Sequence, residues 1–228
     1  MTKKQKTEKK DAADIIEEKE VVIPAPKFET VEVKIIGDTK LVLHKFSKKA
    51  REQIKQKQMM GSRAKKGNKR EPKDFDKLYK EALYVGEDSN GKTWYGFNAS
   101  SVRHAMVSAC KLVGFHMTKG KLAIFIEPDG FDVENGIPLV KITKGTPHKH
   151  ESHVRIANNT CDICIRPMWD EGWESKLRIR YDADVFSRED VLNLLMRAGL
   201  QVGIGEGRPD SKSSCGCGWG TFRIESKQ

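Results

Sequence analysis

An α+β fold is predicted for this 228-residue chain by three observations. Short segments alternate apolar and polar residues with the period of two that a half-buried strand requires. Two other segments carry apolar residues at helical spacing, each opened by capping residues and closed by glycine. The best-marked of these segments follow one another as strand, helix, strand, strand, helix, strand.

Residues 1 to about 27 are polar and low in complexity and end in Val22-Ile23-Pro24-Ala25-Pro26, which predicts a disordered tail with an extended close. Residues 28–228 read as one domain. From Thr30 the chain alternates, with Val31, Val33 and Ile35 on one face, and Leu41 and Leu43 follow the Gly37-Asp38 turn, giving two strands. Ser47 stands at an N-cap position. Phe46, Ala50 and Ile54 then share an apolar face of a helix ending at Gly61, and Lys48, Arg51 and Lys55 share a basic one. Residues 61–74 show no apolar periodicity and are predicted to be a mobile basic loop, followed by a short helix around 75–84.

A strand at 94–97 runs into Asn98-Ala99-Ser100-Ser101, after which Val102, Ala105, Met106, Ala109, Leu112 and Val113 keep helical spacing up to Gly114. Strands are predicted at 121–127 and 139–143, either side of a Pro128-Asp129-Gly130 turn, and 145–152 reads as a polar loop. The segments 161–166 and 174–181 suggest a hairpin, the second setting Leu177, Ile179 and Tyr181 against Lys176, Arg178 and Arg180. Ser187 with Asp190 resembles a capping box, and Val191, Leu192, Leu194, Leu195 and Ala198 fill a helix that Gly199 ends. A strand at 221–224 closes the chain.

Strands at about 31–36, 121–127, 174–181 and 219–225 with helices at 100–113 and 187–198 give the order βαββαβ, a modified ferredoxin-like (RRM-like) core. A basic insertion at about 40–90 then follows the first strand, and a second insertion at about 128–172 separates the second and third.

The net charge is +10, and 40–73 alone holds thirteen Lys or Arg against two acids, so this stretch carries the whole excess. Without the apolar face of a membrane-surface helix, such a run reads as a phosphate-binding element, against the plainer reading of a solvated charged loop. No stretch has the length of a membrane span, and the N-terminal MTKKQKTEKK lacks the apolar core of a signal peptide. The expectation is a cytoplasmic protein with no membrane partner, whose five cysteines are free thiols or metal ligands.

Gly203-Ile204-Gly205-Glu206-Gly207-Arg208-Pro209 and Gly216-Cys217-Gly218-Trp219-Gly220 lie between the second helix and the last strand. Without a Cβ, glycine lets backbone N–H groups approach a phosphate, so Gly203, Gly205, Gly207, Gly216 and Gly218 are candidate nucleic-acid contacts, with Arg208 as a charged one. A flexible connection is the plainer reading. A dinucleotide fingerprint needs a strand before and a helix after the loop, and the order here is the reverse. No Gly-Lys-Ser/Thr follows, so the loop is no P-loop either, and no cofactor is predicted.

A glycine-rich loop leading into the last strand of such a core, preceded by a helix like VLNLLMRAGLQVG, resembles the signature of the RAMP superfamily, the repeat-associated proteins of CRISPR systems. Upstream, Gly96-Phe97-Asn98-Ala99-Ser100-Ser101-Val102-Arg103-His104-Ala105 resembles the start of the first RAMP helix. Within that superfamily the chain is similar to stand-alone RAMP-like proteins of phages and prophages, which act in the bacterial host cytoplasm, and distantly similar to CRISPR backbone subunits. The resemblance implies non-enzymatic binding of single-stranded DNA or RNA, with self-association along the strand as a filament. Phosphate contacts are then expected from Lys45, Lys48, Lys49, Arg51, Lys55, Arg63, Lys65 and Lys66, and from Arg103. Cys215 and Cys217 stand outside the family pattern.

Other constellations give alternatives. His148, His150 and His153 with Cys161, Cys164, Cys215 and Cys217 include enough donors for zinc, His148, His150, Cys215 and Cys217 being the set weighed; Cys161 and Cys164, however, fall on opposite faces of a strand. Some RAMP relatives that process CRISPR RNA use a histidine near the first helix, and His44, with Lys48 or Arg51, is the candidate general base for such an endoribonuclease. A structural protein–protein interaction module is the third class. Asp182, Asp184, Asp170 and Glu171 read as turn or cap residues rather than two-metal ligands. Trp94, Tyr95, Trp169, Trp173 and Trp219 are candidates to stack bases, at least half of them core residues instead.

Overall fold

The computed structural model describes residues 23–46, 48–60, 74–155, 161–211 and 216–225. The chain forms an α+β structure in the order β1 (Phe28–Gly37), β2 (Leu41–Val42), α1 (Lys48–Met60), α2 (Phe75–Ala82), β3 (Tyr84–Glu87), β4 (Thr93–Asn98) and α3 (Ala99–Ala109). There follow α4 (Met117–Ala123), β5 (Ile124–Glu127), β6 (Gly130–Phe131), β7 (Pro138–Lys144), β8 (His148–Arg155), β9 (Cys161–Trp169), β10 (Glu174–Asp182), α5 (Arg188–Arg197) and β11 (Phe222–Ile224). Every strand pairing among the described residues is antiparallel. Among them no helix is long and apolar enough to cross a membrane.

The larger sheet is centred on β1 and β10, which pair over their whole length from Phe28↔Asp182 to Ile36↔Glu174. The far side of β1 takes β11. The far side of β10 is shared: β5 lies beside Arg178–Tyr181, and β7 beside Glu174 and Ser175, leading on to β4 and β3. One run of neighbours is therefore β11-β1-β10-β5. The alternation seen in the sequence sets its inner face, where Val31, Ile35, Leu177, Ile179 and Tyr181 are buried. Val102, Met106 and Ala109 of α3 and Val191, Leu194 and Leu195 of α5 close over that face, each large side chain contributing roughly 1.5–3 kcal/mol of transfer energy.

Both helices start as their sequences require. The Asn98 side chain accepts from the Ser100 N–H at the start of α3, and Ser187 and Asp190 form a reciprocal capping box on α5. Four expectations need correction. Lys121–Ala123 is the last turn of α4, capped through Ile124 N–H to the Gly120 carbonyl, so the strand begins only at Ile124. The segment expected to be a polar loop contributes β8, which pairs with β9 from His148↔Met168 to Arg155↔Cys161. β9 accordingly pairs with β8 and β2, not β10, whose two edges are already taken. Finally, Phe46 and Ile54, expected to share the apolar face of an amphipathic helix, are 49% and 44% exposed, and Phe46 precedes α1.

The segments between β1 and α3 and between β5 and β10 are built into each other. β2 joins β9, β4 joins β7, and α2 packs on β9. The expected tail at 1–22, the Ser47 cap and the basic loop at 61–73 lie outside the described residues.

Candidate functional site

A cleft of about 450 Å³ opens between α3 and the glycine-rich run. The α3 wall presents Ser101, His104, Ala105 and Ser108, at the i, i+3, i+4, i+7 positions of one helix face, beside the capping Asn98. The facing wall is Val202, Ile204, Gly205, Glu206, Arg208 and Asp210, and Leu43, His44 and Tyr84 complete it. The Ser100-Ser101 helix start and the glycine run, a hundred residues apart in the sequence, thus meet at one opening.

The glycine run is a tied loop. Glu206 N–H donates to the Val42 carbonyl at 2.8 Å, Ile204 N–H to Gly220 at 2.9 Å, and Gly220 N–H to Lys40 at 2.7 Å. Gly203 N–H donates to Ala198, and Cys217 and Trp219 N–H both to Gly207. These donors are consumed by the protein's own carbonyls, not gathered into a nest for phosphate. Gly205 and Gly220 serve close approach: a Cβ would stand 2.5 Å from the Val42 oxygen and 1.8 Å from that of Ile204. Gly203 packs by Pro209, Gly207 against the Trp219 ring and Gly216 against the Arg208 backbone, while nothing stands within 4 Å of a Cβ at Gly218. Arg208 holds the Gly205 carbonyl at 3.0 Å while lining the cleft.

The basic candidates separate into distinct environments. Lys45 is 4% exposed, its ammonium 2.9 Å from Asp132 and 2.8 Å from Glu134. Asp132, itself buried, also accepts from Val85 N–H and Asn135 N–H. Lys45 is therefore withdrawn from the phosphate-binding set, because its charge is matched inside the fold. Arg51 faces Glu134 at 3.6 Å, whereas Lys55 is exposed on α1 with no ion pair among the described residues. The backbones of Lys48 and Lys49 belong to α1, but their side chains, with Arg63, Lys65 and Lys66, lie outside the described residues. Arg103 points away from the cleft, donating to the carbonyls of Ile124 at 2.8 Å and Lys121, with its guanidinium 4.8 Å over the Phe125 ring.

His44 stands at the cleft beside the Arg166–Glu206 ion pair, whose Nε–Oε2 distance is 2.8 Å. Partial desolvation, followed by the Arg166 guanidinium, lowers its pKa, and the Glu206 carboxylate opposes the shift. Neutral imidazole is then the form present at pH 7. His104 was not singled out in the sequence, although its place three residues after Ser101 puts both on one helix face.

Of the proposed zinc donors, His148 faces Asp170 at 3.7 Å and His150 meets Trp219 edge-on at 5.3 Å. Cys217 is exposed, and Cys215 with the side chains of His153 and Cys161 lies outside the described residues. Among the described residues no group of three or more His, Cys, Asp or Glu is placed to hold a metal ion. Trp94, Trp169 and Trp173 are core residues, while Tyr95 remains 41% exposed. The chain matches no family model and no curated protein.

Proposed function

We propose that the protein binds single-stranded nucleic acid without cleaving it, on a ferredoxin-like core of the RAMP type, in the cytoplasm. The observation that carries this reading is the cleft itself, where the two motifs behind the RAMP resemblance form facing walls. The run β11-β1-β10-β5 supports the ferredoxin-like reading, since it places the fourth, first, third and second strands of βαββαβ side by side with both helices on one face. The lining supports a nucleic-acid ligand: hydroxyls, imidazoles, an amide and a guanidinium supply donors and acceptors matched to base edges and sugar.

Fluorescence anisotropy with labelled single-stranded DNA, single-stranded RNA and duplex tests the reading, with each sample run afterwards on a denaturing gel. Single strands are expected to bind more tightly than duplex, and Ser101→Trp, which fills the cleft, to weaken binding at least tenfold. Equal affinity in the blocked, folded variant overturns the reading. Failure to bind any nucleic acid leaves the protein–protein module.

One observation favours a second reading, an endoribonuclease: His44 and His104 line the same cleft. The neutral His44 would take the 2′-hydroxyl proton and His104 would protonate the leaving 5′-oxygen, giving a 2′,3′-cyclic phosphate. Cleaved RNA in the gel, absent with His44→Ala, would establish it.

A further inference from the structure

On the outer face of the larger sheet, away from α3 and α5, cations are held by carboxylate partners. Lys34 pairs with Glu174 and Glu225, Lys176 with Glu32, Arg178 with Asp129 and Glu127, and Arg223 with Asp38. Such a face is satisfied by its own side chains. One corner departs from the rule. Arg180, exposed on β10, has no carboxylate partner among the described residues; its guanidinium lies over two rings instead, 5.4 Å from Phe28 and 5.3 Å from Phe125. The register accounts for this: Arg180 stands opposite Thr30 on β1 and Phe125 on β5, so neither neighbour supplies an acid. Phe28 meets Phe125 edge-on at 5.9 Å and remains 42% exposed. A second guanidinium, that of Arg103, lies over Phe125 and is fixed by two backbone carbonyls.

We propose that Phe28, Phe125 and Arg180 form a second subsite, which stacks a nucleobase and takes its phosphate; the proposal rests on the reading of the protein as a single-strand binder. An exposed planar surface with surplus positive charge complements a ligand that is planar and anionic, which describes a nucleotide of a single strand. Position supports continuity with the cleft. At about 100° per residue on α3, Ser101, His104 and Ser108 lie on one flank of the core-facing stripe and Arg103 on the other. Arg103, which reaches from α3 over the Phe125 ring, thus joins the helix that lines the cleft to the β5 end of the outer-face patch.

The test uses the full-length chain with single-stranded oligonucleotides, comparing wild type, Phe28→Ser and Arg180→Gln by anisotropy across a salt series. Ultraviolet crosslinking with peptide mapping is run in parallel. Phe28→Ser should weaken binding about tenfold, within the range for loss of one base–aromatic stack. Arg180→Gln, which breaks no ion pair among the described residues and gives up only its contacts over the two rings, should reduce the slope of log affinity against log salt by about 0.7. Crosslinks should map to Phe28 or Phe125. Wild-type binding with both variants unchanged in affinity and slope overturns the subsite alone. Wild type that binds no single strand overturns the proposed function and the subsite with it.

Discussion

Lys45→Met gives the sharpest test of the reasoning from the buried ion pair. The substitution keeps the length of the side chain and removes the charge that faces Asp132 at 2.9 Å and Glu134 at 2.8 Å. Glu134 is part-exposed and recovers water. Asp132 does not, since its side chain is fully buried and keeps only the N–H donors of Val85 and Asn135. Removing one partner of a buried pair costs about 3–5 kcal/mol; the two remaining N–H bonds place the expectation near the lower end, about 3 kcal/mol. For a chain of this length that is a fall in melting temperature of about 6–12 °C. Urea unfolding followed by circular dichroism measures it directly. Adding Asp132→Leu should restore only part of the loss, because Val85 and Asn135 N–H would then be left without an acceptor. A loss below about 1 kcal/mol in the single variant would show that Lys45 is solvated and free to bind phosphate, refuting its removal from the binding set.

The glycine run offers a paired comparison. Gly220→Ala should cost about 2 kcal/mol or more, because a left-handed residue (φ 70°) would also drive its Cβ into the Ile204 carbonyl. Gly218→Ala, with φ 72° and open space around it, should cost only about 1 kcal/mol; equal losses in thermal unfolding would show that the loop is not tied as described. His44 sets a pH dependence. Its pKa is depressed below the usual 6.5 in the folded chain, so between the folded value and 6.5 the unfolded chain binds the extra proton. Stability should fall as pH drops through that window, less so in His44→Gln; parallel melting curves from pH 7.5 to 5.5 would contradict the shift.

What could be read in advance was what short-range chemistry decides. The caps at Asn98 and Ser187 and the alternation of Leu177, Ile179 and Tyr181 are written within a few residues of the elements they define. Partner choice is not. The segment 161–166 reads as a strand, but its pairing with β8 depends on both edges of β10 being filled by distant segments. The β8 sequence HKHESHVR lacks apolar alternation because β8 is an edge strand of the smaller sheet, where polar side chains meet water. In KLAIFIE the alternation runs through the boundary between helix and strand, and the helical turn leaves Leu122 70% exposed. Both walls carry motifs visible in the sequence, and His104 shares the helix face of Ser101, but that the walls face each other, with His44 and Asp210 between them, is decided by tertiary placement.

Charge counted along the sequence differs from charge available to a ligand, and the difference bears on how the cleft recognises a strand. The acidic turn after β6 neutralises Lys45 and faces Arg51, two cations of the basic segment. At the cleft, Arg166 is held by Glu206, and Arg208 is accompanied by Asp210. A lining so nearly balanced attracts phosphate weakly and selects through hydrogen bonds to base edges and sugar. Long-range attraction falls to exposed cations such as Lys55. The two contributions therefore separate. Blocking the cleft should lower affinity and leave the salt slope in place, and Lys55→Gln should reduce the slope by about 0.7 with little effect on sequence preference. A cleft variant that flattens the salt dependence instead would place the phosphate contacts inside the cleft and reverse this division of roles.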